Sequence, residues 1–253
     1  MTDAAPTTAF PPLQRLLYVL ATLITLVGNL ISLYGVLYWQ WDTFQLLMLY
    51  WMETAIIAFW TIRRLAGLPA DALGTMKVNG VERPATTAML VGFFSVHAGM
   101  FILVHFFFLL ALFSGDWLKK VAGAGSLFNE LLLTHGVWVA LLLLFISSWI
   151  SFLIDTKPRL VQRIEFWLHP SRFVESARVQ KGSVGAIVGA LYVRILIMQV
   201  AIIFGAMWAQ KIGSIAPILI VIGLKTLFDL AMGTHTPTGK GMTFSSSNMS
   251  IEA

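Results

Sequence analysis

The chain contains no cysteine. That absence excludes disulfides, thiolate nucleophiles and cysteine-ligated zinc or iron-sulfur sites, and leaves imidazole, carboxylate, hydroxyl and amine groups for any chemistry. Charge is scarce as well, at 11% of 253 residues, against about 25% in an ordinary soluble domain. Motifs that would name a reaction are missing. No His-Glu-x-x-His run provides a zinc metalloprotease site, and neither a Walker-type nor a dinucleotide-binding glycine pattern occurs, which argues against ATP hydrolysis. Gly123-Ala124-Gly125-Ser126-Leu127 has a glycine two before the serine but none two after, so it is not a nucleophile elbow. No internal repeat marks an inverted-repeat transporter. The N-terminus carries Pro6, Pro11 and Pro12 where a basic region would stand, and the apolar run that follows is too long for a cleaved signal.

What the chain does have is apolar length. Hydrophobic residues make up 58% of it and mean hydropathy is +0.81. A helix crossing a hydrocarbon core needs about 20 apolar residues. Six runs meet that requirement, at Leu13 to Tyr38, Phe44 to Ile62, Ala88 to Phe113, Leu131 to Ile154, Ala186 to Gln210 and Ser214 to Met232. The expected fold is therefore an all-α membrane protein, a bundle of six transmembrane helices over residues 13–235, with a short segment before it (1–12) and a mobile tail after it (236–253). Trp39, Trp41, Trp117 and Trp208 fall near predicted helix ends, where amphipathic rings favour the headgroup level.

The net charge of +5 is a topology signal rather than a nucleic-acid signal. With the N-terminus on the cytoplasmic side, twelve of the 17 Lys and Arg residues fall on that side and three (Lys119, Lys120, Lys211) on the other, Arg194 and Lys225 lying within spans. The positive-inside rule then puts both termini in the cytoplasm.

Two cytoplasmic connections have structure of their own. Lys77-Val78-Asn79-Gly80-Val81-Glu82 predicts a hairpin, because Asn-Gly supplies the positive φ angles of a tight turn. From Thr156 and Pro158 to Pro170, Leu160, Ile164, Trp167 and Leu168 share one face against Arg159 and Arg163, the pattern of an amphipathic helix in the interface. Arg159 and Arg163 are candidate contacts for anionic lipid. The fifth span opens with Gly185-x-x-x-Gly189, a small-residue face on which a protein partner or a neighbouring helix can approach closely.

A charge in hydrocarbon is costly enough that its default reading is functional. At ~1.5 Å per helical residue, Glu53, His97, Arg194 and Lys225 come to roughly 11 to 14 Å from the cytoplasmic edge and Asp229 to roughly 5 Å. Burial requires them to pair. Glu53 with Arg194 is the favoured pair and Glu53 with Lys225 is equally allowed. Lys225 and Asp229, four apart, share a helix face. His97 is then the titratable group left to act as base, ligand or proton relay. With Glu53 it forms a candidate divalent-metal pair. His105 and His135 fall at roughly 25 and 24 Å and form a less favoured candidate haem or metal site. Asn29, Ser95 and Gln199 are expected to make hydrogen bonds between helices, and Ser147, Ser148 and Ser151 to bond back to their own helix.

Tyr50-Trp51-Met52-Glu53, Phe93 to Phe101 around His97, His105, Tyr192-Val193-Arg194-Ile195, Leu224-Lys225-Thr226, Asp229 and His235 together resemble an uncharacterised family of bacterial multi-pass membrane proteins, a domain of unknown function. The resemblance implies one grouping of these residues and no mechanism. Three function classes stay open. The first is a site for proton-linked movement of a small solute or for metal-assisted catalysis at Glu53, His97, Arg194, Lys225 and Asp229. The second is a non-catalytic accessory subunit, and the third a haem-binding redox protein.

Overall fold

The structure is a computed structural model and describes residues 12–78, 81–120, 123–156, 164, 184–200 and 216–233. Among them eight α-helices and one hairpin follow in order: α1 (Pro12–Tyr38), α2 (Thr43–Ala66), β1 (Thr75–Val78), β2 (Val81–Pro84), α3 (Thr87–Phe113), α4 (Trp117–Lys120), α5 (Ala124–Asn129), α6 (Val137–Thr156), α7 (Val184–Val200) and α8 (Ala216–Gly233). Four of them, α1, α2, α3 and α6, are long and apolar enough to cross a membrane.

Helix α2 is the axis. Its most apolar stretch is 67% buried, against 22 to 28% for α1, α3 and α6. It packs on α3, α6 and α7, while α1 packs on α6 and α8. Local chemistry fixes where α2 begins and ends. The Asp42 carboxylate accepts from the Gln45 amide and the Gln45 side chain accepts from the Asp42 amide, both at 2.8 Å, satisfying donors that the first turn leaves open. Arg63 and Arg64 occupy the last turn, where cations suit the helix dipole, and Gly67 closes it. Before α2 the chain reverses tightly: Gln40 takes φ 56°, and the Trp41 ring lies against the bare backbone of Gly35.

The outer faces of α1, α3 and α6 carry Leu16, Leu23, Phe93, Val96, Phe107 and Leu142 exposed. A soluble monomer does not present apolar area on this scale. Against lipid tails such faces gain nothing by associating, so helices must be held by close packing and interhelical hydrogen bonds. The α1–α6 seam has both. A Cβ at Gly28 would touch Leu144 at 3.4 Å. There the Ser147 hydroxyl donates to the Ala21 carbonyl at 2.8 Å and meets Thr25 Oγ1 at 2.5 Å. The expectation that Ser147 bonds within its own helix is thus corrected, because small residues bring α1 within reach. Near the ends of these helices Asp155 accepts from the Tyr18 hydroxyl at 2.9 Å and pairs with Arg64 at 3.1 Å, joining α1, α2 and α6.

The expected hairpin forms, with Val78 opposite Val81, and its Asn79-Gly80 step lies outside the described residues. Its flank sits on a small apolar cluster of Leu73, Ala85 and Leu90 with Val184. The fourth apolar run differs from expectation. Instead of one helix from Leu131, a π-helical turn (Glu130–Thr134) gives way at Gly136, φ 70°, and α6 begins at Val137. A positive φ ends a right-handed helix, which places His135 in the turn and outside the span. The segment 1–11, the basic stretch with Arg159 and Arg163, and residues 234–253 lie outside the described residues.

Candidate functional site

Three helices meet at one ammonium group. Lys225, on α8, points its Nζ at Glu53 on α2 (2.8 Å to Oε2, 3.0 Å to Oε1) and at Asn29 Oδ1 on α1 (2.7 Å). One turn along its own helix it meets Asp229 Oδ2, also at 2.7 Å. Asn29 closes the circuit by donating from Nδ2 to Asp229 Oδ2 at 3.0 Å. Asn29, Glu53 and Asp229 are each 3 to 4% exposed, and the Lys225 side chain 15%. Lys225 also lies over the Tyr50 ring, 5.0 Å from its centroid, a position where a cation is held by the negative face of the ring.

Each partner arrives by helical spacing. Tyr50 and Glu53 are three apart on α2, and Lys225 and Asp229 four apart on α8, so each pair shares a face. Asn29 belongs to a polar stripe on α1, with Thr25 four before it and Ser32 three after it, facing the interior of an otherwise apolar helix. Of the two pairings allowed for Glu53, the one with Lys225 is present. Arg194 is on α7, and its side chain lies outside the described residues.

An ammonium has three donors and no acceptor. Here all three find oxygen acceptors, two of them charged, which is how a buried cation is tolerated. The two carboxylates differ in consequence. Asp229 holds Lys225 within α8, whereas Glu53 holds it across to α2, so of the two carboxylate contacts it is the Glu53 one that joins those helices.

The remaining expected site residues are elsewhere. His97, half-buried on α3, stacks on Phe93 at 5.6 Å between ring centres and meets Tyr192 of α7 edge-on at 5.6 Å. Among the described residues no hydrogen bond joins it to Glu53. His105, also on α3, is buried; its Nδ1 lies 2.8 Å from the Phe101 carbonyl. A carbonyl only accepts, so Nδ1 carries the hydrogen. Its Nε2 meets the side-chain amide of Gln199 on α7, bearing out the expected interhelical role of Gln199. His135 packs edge-on against Trp117 at 5.5 Å and lies 3.8 Å from Glu130, while its carbonyl accepts from Trp41 Nε1 at 2.9 Å. The two histidines expected to face each other therefore have separate partners. Their chain position explains this: with α6 starting at Val137, His135 belongs to the aromatic cap of Trp39, Trp41 and Trp117 rather than to a helix antiparallel to α3.

Among the described residues no three His, Asp or Glu side chains gather as a metal-ion group. Gly185 and Gly189 face open space in α7, where an added Cβ would meet nothing within 4 Å among the described residues.

The pattern of a family of unknown function (DUF6498) matches residues 13–241, taking in every helix described above. No curated protein and no solved structure matches the chain.

Proposed function

The chain belongs to this family of unknown function, and we propose that it is an integral protein of the bacterial inner membrane whose Glu53–Lys225–Asp229 site exchanges protons to drive movement of a small solute. The observation that carries this reading is the shared ammonium. One cation serves two carboxylates, one on its own helix and one on the neighbour. A proton taken up by Glu53 cancels the charge that holds α8 to α2 and leaves Lys225 on Asp229. Proton occupancy and the attachment of α8 are thereby linked, which is the coupling a proton-driven conformational change requires.

Further support comes from the cost of the arrangement. Buried ion pairs do not reliably stabilise relative to apolar replacements, and polar groups inside apolar helices are functional by default. In this reading α7 and α8 complete six spans with α1, α2, α3 and α6, and the basic bias sets both termini in the cytoplasm. His97 and Arg194, which the depth estimate puts in the same layer, belong to the solute path.

The test is a pH titration of protein reconstituted in lipid bilayers, following the infrared carbonyl band of protonated carboxylic acids. Wild type gains a band on acidification that Glu53→Gln removes. If the bands of wild type and Glu53→Gln coincide at every pH, Glu53 exchanges no proton and the reading fails.

A second reading is favoured by one observation: all three Lys225 donors are filled, as in a lock that sets helix order. An accessory subunit would then dock partners through Gly185 and Gly189. Bulky replacement of those glycines would abolish cellular function, while Glu53→Gln and His97→Ala would preserve it.

A further inference from the structure

Helices α3 and α7 both rest on α2 and reach each other through side chains. Phe94 and Val184 join one apolar cluster near the start of both helices, and His105 meets Gln199 further along. Between these two contacts His97 and Tyr192 face each other edge-on, with ring centres 5.6 Å apart. Both are half-buried, and neither the imidazole nor the phenol hydroxyl makes a hydrogen bond among the described residues. They stand ten residues after Thr87 and eight after Val184, about 15 and 12 Å along their helices, within a hydrocarbon core of about 30 Å. Polar groups at that depth have no water to turn to, and leaving them unsatisfied is costly. Phospholipid headgroups lie outside the core and do not reach them. The partner that fits is a molecule dissolved in the bilayer itself, whose polar atom travels within the hydrocarbon.

The walls of the gap set its shape. Phe93, one turn before His97, lies nearly parallel to the imidazole, at 15° and 5.6 Å, and Phe94 tilts against Tyr192 at 6.5 Å, so flat rings border the gap. Phe93, Val193 and Leu196 are exposed, which opens it to lipid. At Gly189, one turn before Tyr192, an added Cβ would meet nothing within 4 Å among the described residues. We infer that the gap between α3 and α7 binds a quinone-type molecule, with a ring carbonyl accepting hydrogen bonds from His97 and Tyr192 and an apolar tail in the lipid. A carbonyl oxygen has two lone pairs, while a neutral imidazole and a phenol each offer one donor. The quinone ring packs offset against the aromatic wall. The solute path that contains His97 then carries an amphiphile entering sideways from the bilayer, an extension that rests on the proton-exchange reading.

Protein in phosphatidylcholine bilayers is titrated with a decyl-benzoquinone isotope-labelled at its carbonyls, and the carbonyl stretch is followed by infrared spectroscopy. Wild type is expected to bind it saturably, with the bound band below that of the same quinone in protein-free bilayers. His97→Phe and Tyr192→Phe should each weaken binding about fivefold, roughly the worth of one hydrogen bond, and His97→Phe should reduce the band shift. Uptake that never saturates, or the same affinity and band in wild type and His97→Phe, overturns the inference. Displacement of the quinone by added phosphatidylglycerol gives the gap to a phospholipid and overturns it too. The carboxylic-acid band of Glu53, recorded on the same samples across pH, reports the proton-exchange reading separately. Should both variants fail to fold, wild-type protein with ring-labelled histidine decides: the His97 nitrogen resonances must move when the quinone is added, and unmoved resonances overturn the inference.

Discussion

Replacing Lys225 by methionine keeps the length of the side chain and removes only the ammonium that three helices share. Glu53 and Asp229, each 4% exposed, then lose the cation they share. Breaking a buried ion pair from one side costs about 3 to 5 kcal/mol, because the partner remains as an uncompensated buried charge. Lys225→Met is expected to lose about 3 kcal/mol at neutral pH, towards the low end because Asn29 still donates to Asp229 at 3.0 Å. Glu53→Gln should cost only about 1 kcal/mol, since the amide oxygen can still accept from Lys225 and the other two acceptors stay. Replacing all three groups, with Lys225→Met, Glu53→Gln and Asp229→Asn, should return stability to within about 1 kcal/mol of wild type, because none of the three charges is left without the others. Unfolding in mixed micelles by dodecyl sulfate, followed by circular dichroism, measures all three. The loss in Lys225→Met should also shrink on acidification, as protons neutralise the carboxylates. The reasoning is refuted if Glu53→Gln costs as much as Lys225→Met, or if the triple variant is no more stable than Lys225→Met.

Other substitutions probe the frame that positions the site. At Gly35 an added Cβ would run into the Trp41 ring, so Gly35→Ala should lower stability by about 2 kcal/mol in the same unfolding assay, an overpacking cost. Asp155→Asn should matter little, about 0.5 kcal/mol, because the Asp155 side chain is 40% exposed and its pairing with Arg64 is screened. Ser147→Ala removes the bond to the Ala21 carbonyl and should cost about 0.6 kcal/mol, the typical value for a hydrogen bond between membrane helices. An unchanged melting curve for Gly35→Ala would mean that the turn before α2 is not built as described.

Much of this arrangement is legible in the residues, for a physical reason. Long apolar runs have few alternatives to helix, so α1, α2 and α3 begin and end within a few residues of the expected limits. The Asn-Gly step likewise marks the hairpin whose strands pair on either side of it. Charges inside such runs are rare enough to identify themselves; depth counting brought Glu53 and Lys225 towards one layer, and the four-residue spacing brought Asp229 to Lys225. Depth says nothing about rotation, and the rest was hidden there. Asn29 joins the ammonium because the Thr25, Asn29, Ser32 stripe turns inward, a spacing that was readable. Tyr50 could have been found from its place one turn before Glu53. The site of Ser147 could not, since its acceptor belongs to a helix more than 120 residues away in sequence. His135 escaped for a local reason: Gly136 looks like any glycine in an apolar run until its φ angle breaks the helix.

The central claim is that the Glu53 contact of Lys225 is the one a proton can break. Solid-state NMR of the protein in lipid bilayers can measure two distances from the Lys225 nitrogen, to the Glu53 carboxyl carbon and to the Asp229 carboxyl carbon, across a pH series. The account predicts that both are short at alkaline pH and that only the Glu53 distance lengthens on acidification. A Glu53 distance that is long at every pH, or two distances that lengthen together, would contradict it.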